Sequence, residues 1–344
     1  MSSADAVAAV LWIGVTLYAV FGGADFGSGF WALEAGGRER GRRARELVDR
    51  AIGPVWEANH VWLIFMLVTL WTAFPDAFGS VMSTLFIPLC LAALGIVLRG
   101  AGFAFHRVAA RSSGRRLAEA AFAVASVLTP FFMGTVVGAV ASGRVPVGNA
   151  QGDPVTSWLN PVSLVLGALF VSAGVYLSAV FLVSDARRFG EREMVAYFST
   201  RALAAAVVAG ALAIAGIFVF RDDARYIYDG LTSEGLPLVL ISLACGLGAL
   251  LLLWRRASRG ARPLAVAAVV AVIWGWGAAQ YPYLLPETLT IEEGAGASET
   301  LTVVLALFGV AVIIVLPALA FLFTLDQRSL LEEEAELESS STTK

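Results

Sequence analysis

The stretch GPVWEANHVWL, residues 53–63, opens an apolar segment that runs to about residue 74. It contains a carboxylate, an amide and an imidazole, framed by two tryptophans: Glu57, Asn59, His60, Trp56 and Trp62. Polar groups at the start of a membrane-length apolar segment are costly and usually functional. A helix cap is the alternative, because proline and an acid both suit a first helical turn. A cap would leave Asn59 and His60 unexplained.

Composition places the whole chain in a membrane. Of its 344 residues, 58% are hydrophobic and 15% are charged, and the mean hydropathy is +0.77. A soluble domain has about a quarter of its residues charged. The cysteines, Cys90 and Cys245, lie inside apolar runs and are interpreted as small core residues, neither a disulfide nor a metal pair. No nucleic-acid or nucleotide-binding signature is present, and no signal peptide is expected, because the first apolar run is too long.

Membrane-length apolar runs predict the fold. We expect an all-α integral membrane protein of about nine transmembrane helices, arranged as two four-helix bundles plus one peripheral helix. The membrane domain would cover residues 1–326, and residues 327–344 would form an acidic tail. The predicted helices are at about residues 6–31, 55–74, 79–106, 117–141, 158–184, 199–220, 236–254, 263–283 and 300–325.

Arginine distribution predicts the orientation. Arginines concentrate in alternate connections, within residues 38–50, 107–116, 187–192 and 255–262. The positive-inside rule then places the N-terminus outside and the C-terminus in the cytoplasm of a bacterial cell.

Three charged residues fall at a similar predicted depth in the cytoplasmic leaflet. Asp25 lies near the end of the first helix, Glu57 about one turn into the second, and Arg99 about two turns before the end of the third. Two acids and one base could therefore meet there, and such groups often mark ion or proton routes. A purely structural ion pair of Arg99 with either acid is the alternative. Asp25 also lies between Gly23 and Gly27, whose spacing allows a close helix contact.

Metal binding is disfavoured. Glu57 and His60 have the Glu-x-x-His spacing of di-iron bundles, but such sites need a second copy of the pair and two more glutamates. The chain has no second copy and only two histidines. We therefore expect no metal site.

Three motifs resemble subunit II of cytochrome bd quinol oxidase. Residues 23–29, GADFGSG, are similar to the family's Gly-Phe-Asp-x-Gly-x-Gly. Residues 53–63 are similar to Gly-Pro-x-Trp-Asp-Gly-Asn-x-Val-Trp-Leu. Residues 281–286, YPYLLP, and the helix-3 phrase LRGAGF, residues 98–103, also match. From about residue 140 to 270 the resemblance rests mainly on hydropathy.

The resemblance implies a heterodimer with subunit I, which would hold two b-type haems, one d-type haem and the quinol site. The complex would oxidise quinol and reduce oxygen to water. Subunit II would hold no haem, have no active site of its own, and contribute a proton route through Glu57 and Asp25. Trp56, Asn59, His60, Trp62 and Arg99 would support it. Some relatives bind a quinone in this subunit, and a small accessory subunit is a further candidate partner.

The chain departs from the family pattern at several positions. The family acid is usually aspartate where Glu57 stands, the next residue is Ala58 and not glycine, and His60 stands where glutamine or glutamate is usual. Gly22 stands where many members carry a further acid. Part of the family's proton route is therefore either absent or rebuilt here.

Two other functions remain open at this stage. A proton-coupled secondary transporter would also use intramembrane charges, but it predicts repeats with helices broken near the membrane centre, and the sequence shows no such interruption. A structural scaffold without a proton role differs only in the effect of changing Glu57.

Overall fold

The fold is described from a computed structural model. It covers residues 2–36, 39–52, 56–108, 112–257 and 259–327. Within these ranges, the side chains of residues 39–40, 52, 56–58, 103–108, 112–119, 316, 319–320 and 322–327 lie outside the described part. The predicted acidic tail therefore lies almost entirely outside the described residues.

The described chain is almost entirely helical. Its helices are α1 (Ser3–Leu17), a π-helical turn (Tyr18–Gly22), α2 (Gly23–Ala35), α3 (Glu39–Ile52), α4 (Trp56–Ala73), α5 (Pro75–Thr84), α6 (Phe86–Val108), α7 (Ser112–Ala141), α8 (Pro161–Arg188), α9 (Arg192–Asp223), α10 (Arg225–Thr232), α11 (Leu236–Trp254), α12 (Ala261–Gln280) and α13 (Ser298–Gln327). A short antiparallel hairpin, β1 (Tyr283–Leu285) and β2 (Leu289–Thr290), lies between α12 and α13.

Seven helices of the described part are long and apolar enough to cross a membrane. The bent pair formed by α4 and α5 raises the number to eight if it is counted as one span. The apolar part of α6, Phe86–Gly102, is shorter than a full span. The all-helical membrane fold is thus as expected, while the number of about nine spans and their division into two bundles stay predictions.

Two predicted helices have internal features that hydropathy does not reveal. The run 79–106 is divided at Leu85 between α5 and α6, and α5 is bent by 118° from α4. Pro75 begins α5 and favours this new start, because its ring is compatible with a first turn but not with a continuing helix. The first helix is continuous in direction but contains the π-helical turn just before Asp25.

Small residues set the close packing around α2. A Cβ on Gly27 would overlap the carbonyl oxygen of Gly174 in α8, so only glycine fits there. A Cβ on Gly138 of α7 would likewise overlap Cα of Ser163 in α8. The indole of Trp31 donates a hydrogen bond of 2.9 Å to the Val175 carbonyl oxygen and closes the α2–α8 contact. These contacts hold α2 against α8, and α8 against α7.

The connection between α2 and α4 contains an amphipathic helix, α3. Its apolar face, Ala44, Leu47 and Val48, is buried against the core that α8 and α9 share. Its polar face carries arginines, and Arg43 lies 2.7 Å from Glu193 at the start of α9. We call the end of the molecule that holds α3 and the start of α9 the arginine-rich end.

Candidate functional site

A buried ion pair joins α2 to α6. Nη2 of Arg99 lies 2.6 Å from Oδ1 of Asp25, and the two side chains are only 2% and 4% exposed. The same nitrogen donates a 2.9 Å hydrogen bond to the Asp25 carbonyl oxygen. The structure thus brings together one of the predicted acids and the predicted base.

Arg99 is enclosed by groups from two helices. Its Nη1 donates a hydrogen bond to the hydroxyl of Ser126 in α7. The guanidinium lies 5.0 Å from the ring centre of Phe26 and 4.3 Å from that of Phe122, so both ring faces attract its charge. A buried ion pair offsets its desolvation only with such additional contacts, and Arg99 has them on three sides.

Glycine allows this enclosure. A Cβ on Gly29 would overlap the Ser126 hydroxyl and would lie 2.9 Å from Nη1 of Arg99. The hydroxyl of Ser28 donates to the Asp25 carbonyl oxygen, which Arg99 also uses. The glycine-rich sequence around Asp25 therefore gives Arg99 access to both the carboxylate and the backbone.

The hydrogen bonding of the pair is incomplete. Oδ2 of Asp25 and Nε of Arg99 are buried, and neither has a hydrogen-bond partner among the described residues. The contact is end-on through one nitrogen, unlike the two-point fork that arginine and carboxylate often form. Buried polar atoms without partners call for an explanation, and ionisable residues within membrane spans mark candidate functional sites.

The helix α4 lies beside this pair. Nδ2 of Asn59, which is buried, lies 3.4 Å from the Phe21 carbonyl oxygen in the π-helical turn. The imidazole of His60 meets the Phe26 ring edge-on at 6.2 Å, on the ring that Arg99 also contacts. Trp62 lies further along, edge-on to Phe65 at 6.4 Å.

Glu57 and Trp56 begin α4, but their side chains lie outside the described part of the chain. Their predicted roles stay predictions. Glu57 is two residues before Asn59, which places its backbone near the same end of α4.

No cluster able to hold a metal ion is found in the described residues. Of the two histidines, His60 contacts an aromatic ring, and the side chain of His106 lies outside the described part. The cysteines Cys90 and Cys245 are both free thiols.

Sequence reasoning missed three participants in the site. Ser126 and Phe122 belong to an apolar run in which nothing marks them, although they are spaced by four residues and so share a face of α7. Tyr18 opens the π-helical turn just before Asp25, and its buried hydroxyl has no hydrogen-bond partner among the described residues. Nothing in the apolar first run of the sequence marks it.

The comparisons with known proteins agree on one class, a polytopic helical membrane subunit. A "Putative cytochrome bd menaquinol oxidase subunit II" of Bacillus subtilis is 23% identical over 96% of this chain and 99% of its own length. The cytochrome bd-I ubiquinol oxidase subunit 2 of Escherichia coli K12 is 25% identical over 63% of this chain and 58% of its own length. The solved bd oxidase of Geobacillus thermodenitrificans contains a chain of the same fold, with a TM-score of 0.74, 24% identity, and coverage of 94% of this chain and 98% of that one.

The profile of the family "Cytochrome bd terminal oxidase subunit II" matches residues 4–325. The chain therefore belongs to this family, and the resemblance noted in its sequence motifs is confirmed.

Proposed function

We propose that this chain is the second subunit of a bd-type terminal quinol oxidase in a bacterial plasma membrane. It supports quinol oxidation and oxygen reduction to water by a larger complex, and it supplies a proton route and the surface that binds subunit I. The family match over residues 4–325 supports the subunit role. The observation that carries the proton role is the buried, incompletely hydrogen-bonded Asp25–Arg99 pair.

The proposed proton route enters at the arginine-rich end, which the positive-inside rule assigns to the cytoplasm. Glu57 at the start of α4 receives the proton, and the Asp25 region lies next to it through Asn59 and His60. A carboxyl group can load and release a proton, while Arg99 holds the local charge balanced. In this arrangement the polar site is a proton conduit from one membrane face toward the partner.

Subunit I is proposed to carry the two b-type haems, the d-type haem and the quinol site. The support for this proposal is the small number of histidines in this chain that could ligate haem iron. The chain has only two histidines in all, and His60 is packed against Phe26. The haem chemistry, reduction of oxygen by electrons from quinol, would then be supplied by the partner, and this chain would bind, orient and deliver protons.

One face of α4 is proposed to contact subunit I. Val61, Ile64, Val68 and Trp71 recur at helical spacing and are 50–63% exposed. A proton delivered through α4 must leave toward the partner, so the partner must lie close to this helix. Exposure alone does not identify a protein contact, because lipid can cover exposed apolar residues on other helices. Val207 of α9, which is 61% exposed, is an example.

Purification from native membranes tests the subunit role. A second large subunit with b- and d-type haem absorption should co-purify at a constant ratio. A photo-cross-linking residue at Val61 should capture that subunit, while the same residue at Val207 should capture only lipid. Equal capture at both positions would refute the proposed interface.

Two variants of Glu57 test the proton role. Glu57→Gln keeps the size and hydrogen bonding of the side chain but cannot carry a proton, so quinol-dependent oxygen uptake should fall while haem content stays constant. Glu57→Asp should retain much activity. If Glu57→Gln assembles normally and turns over at the wild-type rate from about pH 6 to 8, the subunit is a scaffold without a proton route.

A further inference from the structure

Two atoms of the Asp25–Arg99 pair and one atom of Tyr18 are buried polar atoms with no hydrogen-bond partner among the described residues. They are Oδ2 of Asp25, Nε of Arg99 and the hydroxyl of Tyr18. The first is an acceptor, the second a donor, and the hydroxyl can act as both. The phenol ring of Tyr18 packs against Gly22, three residues before Asp25 in the same continuous helix. The three atoms are therefore interpreted as one polar neighbourhood.

The backbone before Asp25 is shaped to present this tyrosine. Tyr18 is the first residue of the π-helical turn Tyr18–Gly22. A Cβ on Gly22 would lie 2.9 Å from Cε2 of Tyr18, so the phenol ring packs over the bare backbone of Gly22. Single π-helical turns inside α-helices occur frequently at functional sites. Any larger residue at position 22 would push the ring away.

Apolar packing alone does not explain the hydroxyl. An unsatisfied buried polar atom is costly, and buried polar groups of this kind are usually bridged by ordered water that makes about three hydrogen bonds. The acceptor Oδ2 and the donor Nε are the complementary partners that such a water needs. A phenylalanine would fill the same space without this cost, which suggests that the hydroxyl itself has a functional role.

We propose that ordered water links Oδ2 of Asp25 to the hydroxyl of Tyr18, and that Tyr18 is a relay residue of the proton route. The relay rests on the proposed function, because it extends the route through Asp25. It adds a hydroxyl in the π-helical turn, seven residues before Asp25.

The transfer balances at a single oxygen. The water on the Asp25 side carries the arriving proton, gives it to the phenol oxygen and is neutral again. The phenol releases its own proton to a second water on its far side, which then carries the excess proton. At the phenol oxygen one O–H bond forms as another breaks, so no phenolate accumulates. The Asp25 carboxylate stays paired with Arg99 throughout and orients the first water through Oδ2.

The test compares Tyr18→Phe with a matched control, Tyr176→Phe. Tyr176 of α8 is also buried, and its hydroxyl likewise has no partner among the described residues. Tyr176 packs in the hydrophobic core that α2, α8 and α9 share, and it has no part in the proposed route. In the whole complex, Tyr18→Phe should lower oxygen uptake per haem by roughly tenfold and raise the ratio of rates in H₂O and D₂O. Tyr176→Phe should change neither.

The outcomes separate the relay from the proton route as a whole. If Glu57→Gln is slow but Tyr18→Phe turns over at the wild-type rate per haem, the relay is refuted and the proposed function stands. If both turn over at the wild-type rate, the proposed proton route fails as a whole and the subunit is a scaffold. Equal slowing by Tyr18→Phe and Tyr176→Phe would assign the effect to packing and would also refute the relay.

A structure of the complex gives an independent measurement that does not depend on how the variants fold. Density for water should lie within hydrogen-bonding distance of both the Tyr18 hydroxyl and Oδ2 of Asp25. A protein group from subunit I in that position, or a dry contact, would overturn the proposal.

Discussion

Gly27 of α2 and Gly174 of α8 touch through their backbones, and a Cβ on Gly27 would overlap the Gly174 carbonyl oxygen. This contact lies two residues beyond Asp25 and sets the distance between α2 and α8. Gly23, one helical turn earlier, differs, because its Cβ would lie at an ordinary 3.7 Å from Cα of Gly174.

Gly27→Ala is therefore expected to disrupt the complex, and Gly23→Ala is not. The added methyl on Gly27 meets backbone, which cannot rotate away, and overpacking of this kind costs about 1–3 kcal/mol or more. Thermal stability and the yield of assembled complex would measure the difference. Similar behaviour of the two variants would show that α2 and α8 are further apart than described.

Arg99→Leu is expected to lower assembly strongly. Removing one partner of a buried ion pair leaves the other charge uncompensated, at a cost of about 3–5 kcal/mol. Arg144→Leu is the control, since Arg144 is 39% exposed and lies 4.0 Å from Asp223. The combined change Asp25→Asn and Arg99→Leu should restore part of the yield, because it removes both charges. A double variant that is as poor as the single one would argue against the pairing.

The isolated subunit is expected to carry no haem. Expressed alone in membranes, it should show no haem absorption, because the chain has two histidines and His60 packs against Phe26. His60→Ala in the whole complex should leave the haem spectrum unchanged. A stoichiometric haem in the isolated chain would contradict the assignment of all haems to subunit I.

The contact between Glu293 and Thr290, at the hairpin, is expected to depend on pH. Its carboxylate accepts hydrogen bonds from the Thr290 amide at 3.0 Å and the Thr290 hydroxyl at 2.7 Å. These bonds, the amide first, lower the pKa of Glu293 below its ordinary 4.5. The stabilising effect is therefore fully present above the ordinary pKa and is lost as the pH falls through the lowered one.

Amide hydrogen exchange at Thr290 checks this expectation. Glu293→Ala should speed exchange at neutral pH, whereas Glu292→Ala, a change at an exposed neighbour, should not. The difference between the Glu293 variant and the wild type should vanish at a pH below the lowered pKa. A difference that persists there would mean that the carboxylate is not the acceptor.

Much of the fold could be predicted because it follows from composition. Apolar length gives the helical membrane fold, although not the number of spans. The depth of a residue along its helix placed Arg99 level with both acids, although it did not decide which acid Arg99 contacts. The motif in residues 53–63 was specific enough to indicate the family. These features depend only on local sequence and on the thickness of a bilayer.

Other features depend on three-dimensional contacts and could not be predicted. The break at Leu85 lies inside a continuous apolar run, so hydropathy gives no sign of it. The π-helical turn at Tyr18 changes only the backbone hydrogen bonding within an apolar stretch of the helix, so the sequence pattern does not reveal it. The contact between Ser126 and Arg99 could not be predicted, because a serine in an apolar helix usually donates a hydrogen bond to its own helix backbone. Ser126 also does so, to the Phe122 carbonyl oxygen. The amphipathic α3 could have been found, since Ala44, Leu47 and Val48 have helical spacing.

The separation of Asp25 and Arg99 along the chain has a consequence for biogenesis. The two residues are 74 positions apart, and ribosomes add about 5–20 residues per second. The first span thus reaches the membrane roughly 4 to 15 s before its cation has been made. During that interval Asp25 has no Arg99 to pair with, so its carboxyl is expected either to stay near the membrane surface or to be protonated. The order of synthesis therefore determines when the Asp25–Arg99 ion pair can form.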